Sequence, residues 1–242
     1  MKLTRATPQA IRYACLHFHY AKAIPANTVG YNVYNDANEW CGVILYGTGA
    51  TPNIGMPYNV PQGGVLELVR VALNGKQEHT SRAVAMSLKQ LHKDVPHCRL
   101  VISFADCDQH HLGTIYQATN WIYTGTNNEG SRGAFIIHGK KVHPRSVYSK
   151  IVVIDGKRVH CPQTIDAVRR FIDPNATEFK TEGKRKYLMP MDKAMRRQIA
   201  PLAKPYPKTD GNWRKIDRKM FDKGIIVVDE KTPQIERNVP NN

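Results

Sequence analysis

Apolar side chains recur along this chain with two periods, and each period predicts a different element. Thr7-Pro8 sets a capping hydroxyl and a first-turn proline ahead of Ile11, Ala14, Cys15 and Phe18. That i, i+3, i+4, i+7 spacing marks the buried face of a helix. The helix is expected to end between Tyr20 and Ile24, ahead of Pro25. Residues 29–47 read as two β-rich runs broken at Asn35-Asp36-Ala37-Asn38. Gly47 to Gly64, about 17 residues rich in Gly, Pro and Asn, exceeds the usual connection length, and loops of that size often carry function. Val65 to Leu73 predicts a strand. Thr80 to Lys93 predicts an amphipathic helix with Val84, Leu88 and Leu91 on one face. Cys98 to Phe104 reads as a short buried strand, and Gly113 to Tyr123 as a second helix. In that helix Ile115, Ala118 and Ile122 form the apolar face, and Tyr116, Asn120 and Tyr123 lie along another. Strand, helix, strand, helix across residues 65–123 argues for an α/β fold with crossover helices.

After Gly125 the texture changes. Ala134 to His138, Lys150 to Ile154 and Lys157 to His160 predict strands, the last two joined by an Asp155-Gly156 turn. Thr164 to Ile172 and Asp192 to Ala203 predict helices. Three segments are expected: a catalytic core over 1–125, a basic continuation of the same domain over 126–208, and a charged tail over 209–242. Charge follows these boundaries. The whole chain carries +15; residues 1–125 hold 10 Lys/Arg against 7 Asp/Glu, and residues 126–242 hold 25 against 13. Such a surplus favours a polyanionic partner. No apolar run is long enough to cross a bilayer, and no signal-type stretch follows the basic start. The expectation is a soluble, cytoplasmic protein with no membrane partner. Five scattered cysteines without a CxxC pair predict reduced thiols.

Candidate chemistry gathers in two crossovers. Residues 74–82 join a strand to a helix start, where free N–H groups and the helix dipole attract anions. Thr80, Ser81 and Arg82 would add donors there, or the segment is an ordinary capped helix. The second crossover, Ser103 to Gly113, follows the buried strand, where α/β folds bind ligands. It holds Asp106, Asp108, His110 and His111. Asp106 suits a base or an orienting group. The histidines are either functional or solvated, and a metal reading would join them to Asp106 and His143, without a recognised ligand spacing. Tyr116 would donate to a developing charge. Phe18-His19-Tyr20 ends the first helix, with His19 either a cap or a base. Lys140, Lys141 and Arg145, in a Gly/Pro-bounded loop, suit phosphate contact.

Taken together, Leu66 to Leu73, Ser103-Phe104-Ala105-Asp106 and Gly113 to Trp121 resemble the Mom family of phage DNA-modification proteins. Phe18-His19-Tyr20, His143-Pro144-Arg145-Ser146 and Lys184 to Lys193 also fit it. The resemblance implies a GNAT-like acyltransferase fold with a mixed sheet. It also implies conversion of adenine in double-stranded DNA to N6-carbamoylmethyladenine, which shields phage DNA from host restriction. The loop from Lys76 to Arg82 lacks the glycine pattern that holds the pyrophosphate of acetyl-CoA in ordinary members of that fold. The acyl donor is therefore either acetyl-CoA or an activated glycine such as glycyl-tRNA. On this reading the target base flips into a pocket, with Tyr20, Tyr116 and Trp121 as stacking candidates. Asp106 serves or orients N6, Ser103 holds the donor carbonyl or the base, Tyr116 serves the oxyanion or leaving group, and His19 is a reserve base. Thr80, Ser81, Arg82 and Asn120 bind donor or substrate, and Lys140, Lys141 and Arg145 contact the DNA backbone. The alternatives are an acyltransferase acting on a protein or small molecule, and a DNA-binding protein without catalysis.

Overall fold

The computed structural model describes residues 1–25, 28–49 and 51–208. In chain order the elements are β1 (Lys2–Arg5), α1 (Pro8–His17), β2 (Thr28–Tyr34), β3 (Trp40–Gly47), β4 (Val65–Leu73), α2 (Thr80–Asp94), β5 (Leu100–Asp106), α3 (Thr114–Gln117), β6 (Ile122–Asn127), β7 (Arg132–Ile137), β8 (Lys140–Val142), α4 (Pro144–Tyr148), β9 (Ile151–Ile154), β10 (Lys157–His160), α5 (Ile165–Phe171), β11 (Thr177–Lys180), β12 (Lys184–Pro190) and α6 (Lys193–Ile199). The charged tail expected over 209–242 lies outside the described residues.

The chain divides into two compact units. The first takes Met1–Ala105, His111–Gly125 and the chain from Arg185; the second takes Asp106–His110 and Thr126–Lys184. The first is a mixed α/β fold around a seven-stranded sheet ordered β1-β2-β3-β4-β5-β12-β6. Strands β1 to β4 pair antiparallel one to the next, and β4 and β5 are parallel. Alternation along β3 explains its unbroken apolar run. Ile44 and Tyr46 join the cluster that holds Val84, Leu88 and Leu91 of α2, while Val43 and Leu45 join Ala14 and Cys15 of α1. A strand buried on both faces needs apolar residues at every position.

Two helices are shorter than their spacing predicts. Helix α1 starts as expected, with Thr7 Oγ1 accepting from Ala10 N at 3.2 Å, but it stops at His17. Aromatic residues at 18–20 are modest helix formers, and there the chain turns. Ala21 N–H donates to His19 Nδ1 and Lys22 Nζ to the His17 carbonyl. Helix α3 ends after Gln117, not at Tyr123. Asn120 adopts φ 59°, Asn120 N donates to Gln117 O, and Trp121 N donates to Tyr116 O. This pairing, with Asn at the left-handed position, is a Schellman stop, and its usual apolar contact is Tyr116 against Trp121, with ring centroids 5.1 Å apart. Asn120 and Tyr123 therefore do not extend a helical face from Tyr116.

The second unit has a three-stranded antiparallel sheet, β11-β7-β8, and a separate hairpin, β9-β10. Its core is small: Phe135, Ile137, Val147, Val168 and Ala176. One carboxylate ties its segments together. Asp108 accepts from Lys141 Nζ at 2.9 Å, Thr181 Oγ1 at 3.1 Å and Glu182 N at 2.7 Å. Burial pushes the Asp108 carboxyl up, but those three donors outweigh it and hold it below the usual carboxylate range. Asp108 is thus a structural tie, not the solvated loop residue that its sequence context allows.

Candidate active site

Strands β4 and β5 pair only at their starts: Val65, Leu66 and Glu67 face Leu100, Val101 and Ile102. Against β3, Leu45 faces Arg70 and Tyr46 faces Leu68, so Val69 is the unmatched residue of a bulge. Leu68 is the first β4 residue past the parallel pairing, and its carbonyl lies 2.9 Å from Ser103 Oγ. Ser103 Oγ also lies 2.9 Å from the Tyr116 hydroxyl. Ser103 has one proton and the carbonyl only accepts. Ser103 donates to its two partners, the Leu68 carbonyl and the Tyr116 hydroxyl, one at a time. The buried pair thus links Tyr116, Ser103 and the Leu68 carbonyl where the two strands part.

Tyr116 is held from several sides. Its ring packs against Trp121 and, at 5.0 Å, against Tyr187 of β12. The Tyr187 hydroxyl donates to the Leu112 carbonyl, and Gln117 Nε2 donates to the same oxygen at 3.1 Å. Gly113, at φ 76°, is in contact with the Tyr187 ring, which leaves no room for a Cβ. The loop before α3 is therefore fixed by Tyr187.

That loop continues to a second group of polar side chains. His111 meets Tyr20 edge-on at 5.7 Å, and Tyr20 stacks on His19 at 4.4 Å. Burial, and then the charges of Arg70, His111 and Lys22, push the His19 imidazole down to about 3. Neutral His19 accepts from Ala21 N at Nδ1, 3.1 Å away, so its proton sits on Nε2. In this tautomer the outer nitrogen donates. This geometry suits His19 to stabilising an anion and argues against the reserve-base role.

The other sequence candidates fall as follows. Trp121 has no exposed surface, so it is core and not a stacking platform; its Nε1 is buried without a partner among the described residues. Tyr20 is 44% exposed, the one aromatic stacking candidate of the three with substantial surface. Asn120 serves the helix stop. Thr80 opens α2, where its Oγ1 accepts from Gln77 Nε2 at 2.9 Å, and Ser81 follows in the same turn. His79 precedes them without a side-chain cap, so the first turn of α2 keeps its N–H groups available to an anion. Arg82 pairs with Asp36 at 3.6 Å, both exposed. Asp106 ends β5 in the second unit, where its Oδ1 accepts from Asp108 N at 3.1 Å. Lys140 and Arg145 are exposed. Lys141 is engaged inside its own unit, by Asp108 and by the Phe179 ring 3.6 Å away. That leaves it a poorer phosphate ligand than the exposed Lys140.

Sequence reasoning passed over Arg70, Tyr187 and the choice between His110 and His111. Arg70 was legible as the single cation in an otherwise apolar strand half. Tyr187 was hidden in a basic string. Among the described residues no group of three His, Cys, Asp or Glu side chains is placed to hold a metal, the set of Asp106, His110, His111 and His143 included. All five cysteines are free, and no helix among the described residues is long and apolar enough to cross a membrane.

Fold and site together define a mixed α/β protein with a polar site where two parallel strands part. The profile of the Mom protein family matches residues 1–208, and the chain belongs to that family. No curated protein matches it. Among solved structures it is similar to a Bacillus subtilis acetyltransferase in complex with CoA, at 9% identity over 78% of this chain and 96% of that one, with a TM-score of 0.41. It is also similar to spermidine/spermine N-acetyltransferase SpeG from Vibrio cholerae in complex with manganese ions (9%, 81% and 95%, 0.41). A third is the IAA acetyltransferase of Bacillus cereus (10%, 78% and 98%, 0.36).

Proposed function

We propose that this protein is a transferase that converts adenine in double-stranded DNA to N6-carbamoylmethyladenine, protecting phage DNA from restriction. Family membership supports the reading, and the observation that carries it is the Tyr116–Ser103–Leu68 chain at the parting of β4 and β5. Attack by an amine on an acyl carbonyl builds negative charge on oxygen, and fixed donors lower that barrier. Tyr116 and the Nε2–H of His19 are such donors. Tyr20 offers a face to the flipped base. The open first turn of α2, with Ser81, takes donor phosphate. Asp106 orients N6, and Lys140 and Arg145 meet the DNA backbone.

Product chemistry favours an activated glycine over acetyl-CoA. Adenine N6 attacks the glycyl ester, the C–O bond breaks, and the tRNA hydroxyl leaves with the proton. The glycyl amine then attacks C6 through a five-membered ring. Cleavage of the original C6–N bond returns that nitrogen as the carboxamide. No oxidant or second nitrogen source is consumed, whereas an acetyl donor would supply no nitrogen.

Full-length protein incubated with duplex DNA and glycyl-tRNA carrying 15N-glycine tests this directly by nucleoside mass spectrometry. The reading expects one label, on the nitrogen attached to C6, and an unlabelled amide. An unlabelled adduct formed from acetyl-CoA alone would overturn the donor. Amine acetylation of polyamines or peptides with no DNA adduct would overturn the substrate. Asp106→Asn keeps the cap acceptor and removes the charge, so it is expected to abolish modification while DNA binding persists.

A further inference from the structure

The β9-β10 hairpin has a use that the site at β4 and β5 does not explain. Among the described residues it pairs with no other sheet. Its register places Val153 opposite Arg158 and Ile151 opposite His160, on one face; Val152 opposite Val159 and Ile154 opposite Lys157 form the other. Val152 packs on the unit's small core. The opposite face is in water, with Ile151 48% and Val153 59% exposed. Tyr148, 49% exposed, stacks on His160 at 4.5 Å and extends that face. The turn is compact: Asp155 and Gly156 both take positive φ, and open space surrounds Gly156.

A two-stranded hairpin is marginal alone, and leaving β-branched side chains in water weakens it further. Charge identifies what covers them. Between Gly139 and Cys161 the chain has six Lys/Arg and one acidic residue, Asp155. Lys150, Lys157 and Arg158 make no ion pair among the described residues. A second copy of this face would set these cations against one another, whereas a polyanion neutralises them. Two-stranded ribbons fit the DNA major groove, where apolar side chains meet thymine methyls and flanking cations meet phosphates.

We infer that the β9-β10 hairpin is a DNA-reading ribbon, its Ile151/Val153 face set into the groove of duplex DNA with Arg158, which shares that face, on a phosphate. The inference rests on the proposed duplex-DNA substrate and names the element that grips it. Fluorescence anisotropy with full-length protein and a 30-bp duplex, over a salt series, tests it. Arg158→Ala is expected to weaken binding about fivefold. It should also reduce the slope of log K against log salt by about 0.9, the value of one lost phosphate contact. Val153→Ser should weaken binding about threefold at unchanged slope. Arg197→Ala, on α6, should change neither. Equal affinity and slope in Arg158→Ala, or no duplex binding by the unaltered protein, would overturn the inference. So would a loss confined to tRNA binding. Ribbon-dependent binding without any modified nucleoside would uphold the hairpin and sink the enzymatic reading, so the two fail separately.

Discussion

The two units hold their polar groups in opposite ways. In the first, hydroxyls are buried inside the apolar sheet and satisfied in a line, Tyr116 to Ser103 to the Leu68 carbonyl, with aromatic rings packed around them. In the second, the core is small and carboxylates tie backbone segments locally. Asp108 does so as described, and Asp173 accepts from His138 N at 2.6 Å and Asn175 N at 2.9 Å. The difference teaches where precision is needed. A buried hydroxyl chain fixes a donor to within tenths of an ångström, because any displacement orphans a buried polar group. Carboxylate ties need only hold a scaffold that leaves cationic and apolar side chains facing out.

The largest expected effect follows from Gly113. A Cβ there meets the Tyr187 ring at a backbone angle that L residues disfavour. Gly113→Ala is expected to cost about 3–5 kcal/mol and to abolish modification. Urea unfolding of the variant near wild-type stability would break the claim that Tyr187 fixes the α3 loop. Next comes Asp108→Asn, expected to cost about 1–3 kcal/mol and to act locally. Amide exchange should quicken in β7, β8 and β11 but not in β3 to β5; uniform quickening would show that the units do not stabilise separately. Tyr116→Phe should cost only about 1 kcal/mol yet lower modification about 100-fold. Activity within twofold of wild type would remove Tyr116 from the chemistry.

Much of the fold was legible because one face of each element repeats. The β2-β3 turn, β4, α2, α5 and the β9-β10 turn all stand where the periodicity placed them. Strand β12 was not legible. Lys184-Arg185-Lys186 reads as a solvated basic string, and only its place between β5 and β6 reveals that Tyr187 and Leu188 are buried. The α3 stop was missed for a related reason. Ile, Ala and Tyr continue at helical spacing past Gln117, and the left-handed Asn120 ends the helix only because Trp121 has a core to enter. Of the site, Ser103 and Tyr116 could be nominated from sequence, but the hydrogen bond between them, the burial of Trp121 and the tautomer of His19 depend on contacts distant in the chain.

The smallest effects concern a device that the two units share. His19 in the first and His143 in the second each accept a backbone N–H at Nδ1, from Ala21 and Arg145, both at 3.1 Å. Burial, followed by neighbouring cations, lowers both imidazoles, His19 to about 3. The sign follows from proton counting. Between the ordinary value of 6.5 and the folded value, the unfolded chain binds a proton that the folded chain refuses. Each histidine therefore contributes a loss of stability as pH falls below 6.5, complete for His19 only near 3. The lowered carboxylates, Asp94, Asp108, Asp173 and Asp192, act only below their ordinary value of 3.8, so pH 7.5 to 5 isolates the histidines. Asn retains an acceptor for the N–H and does not titrate. His19→Asn is expected to flatten the fall in denaturation midpoint over that range, and His143→Asn, at a more exposed site, to flatten it less. Parallel falls in wild type and His19→Asn would show that residue 19 takes up its proton equally in both states. The donor tautomer assigned to it would then have to be abandoned.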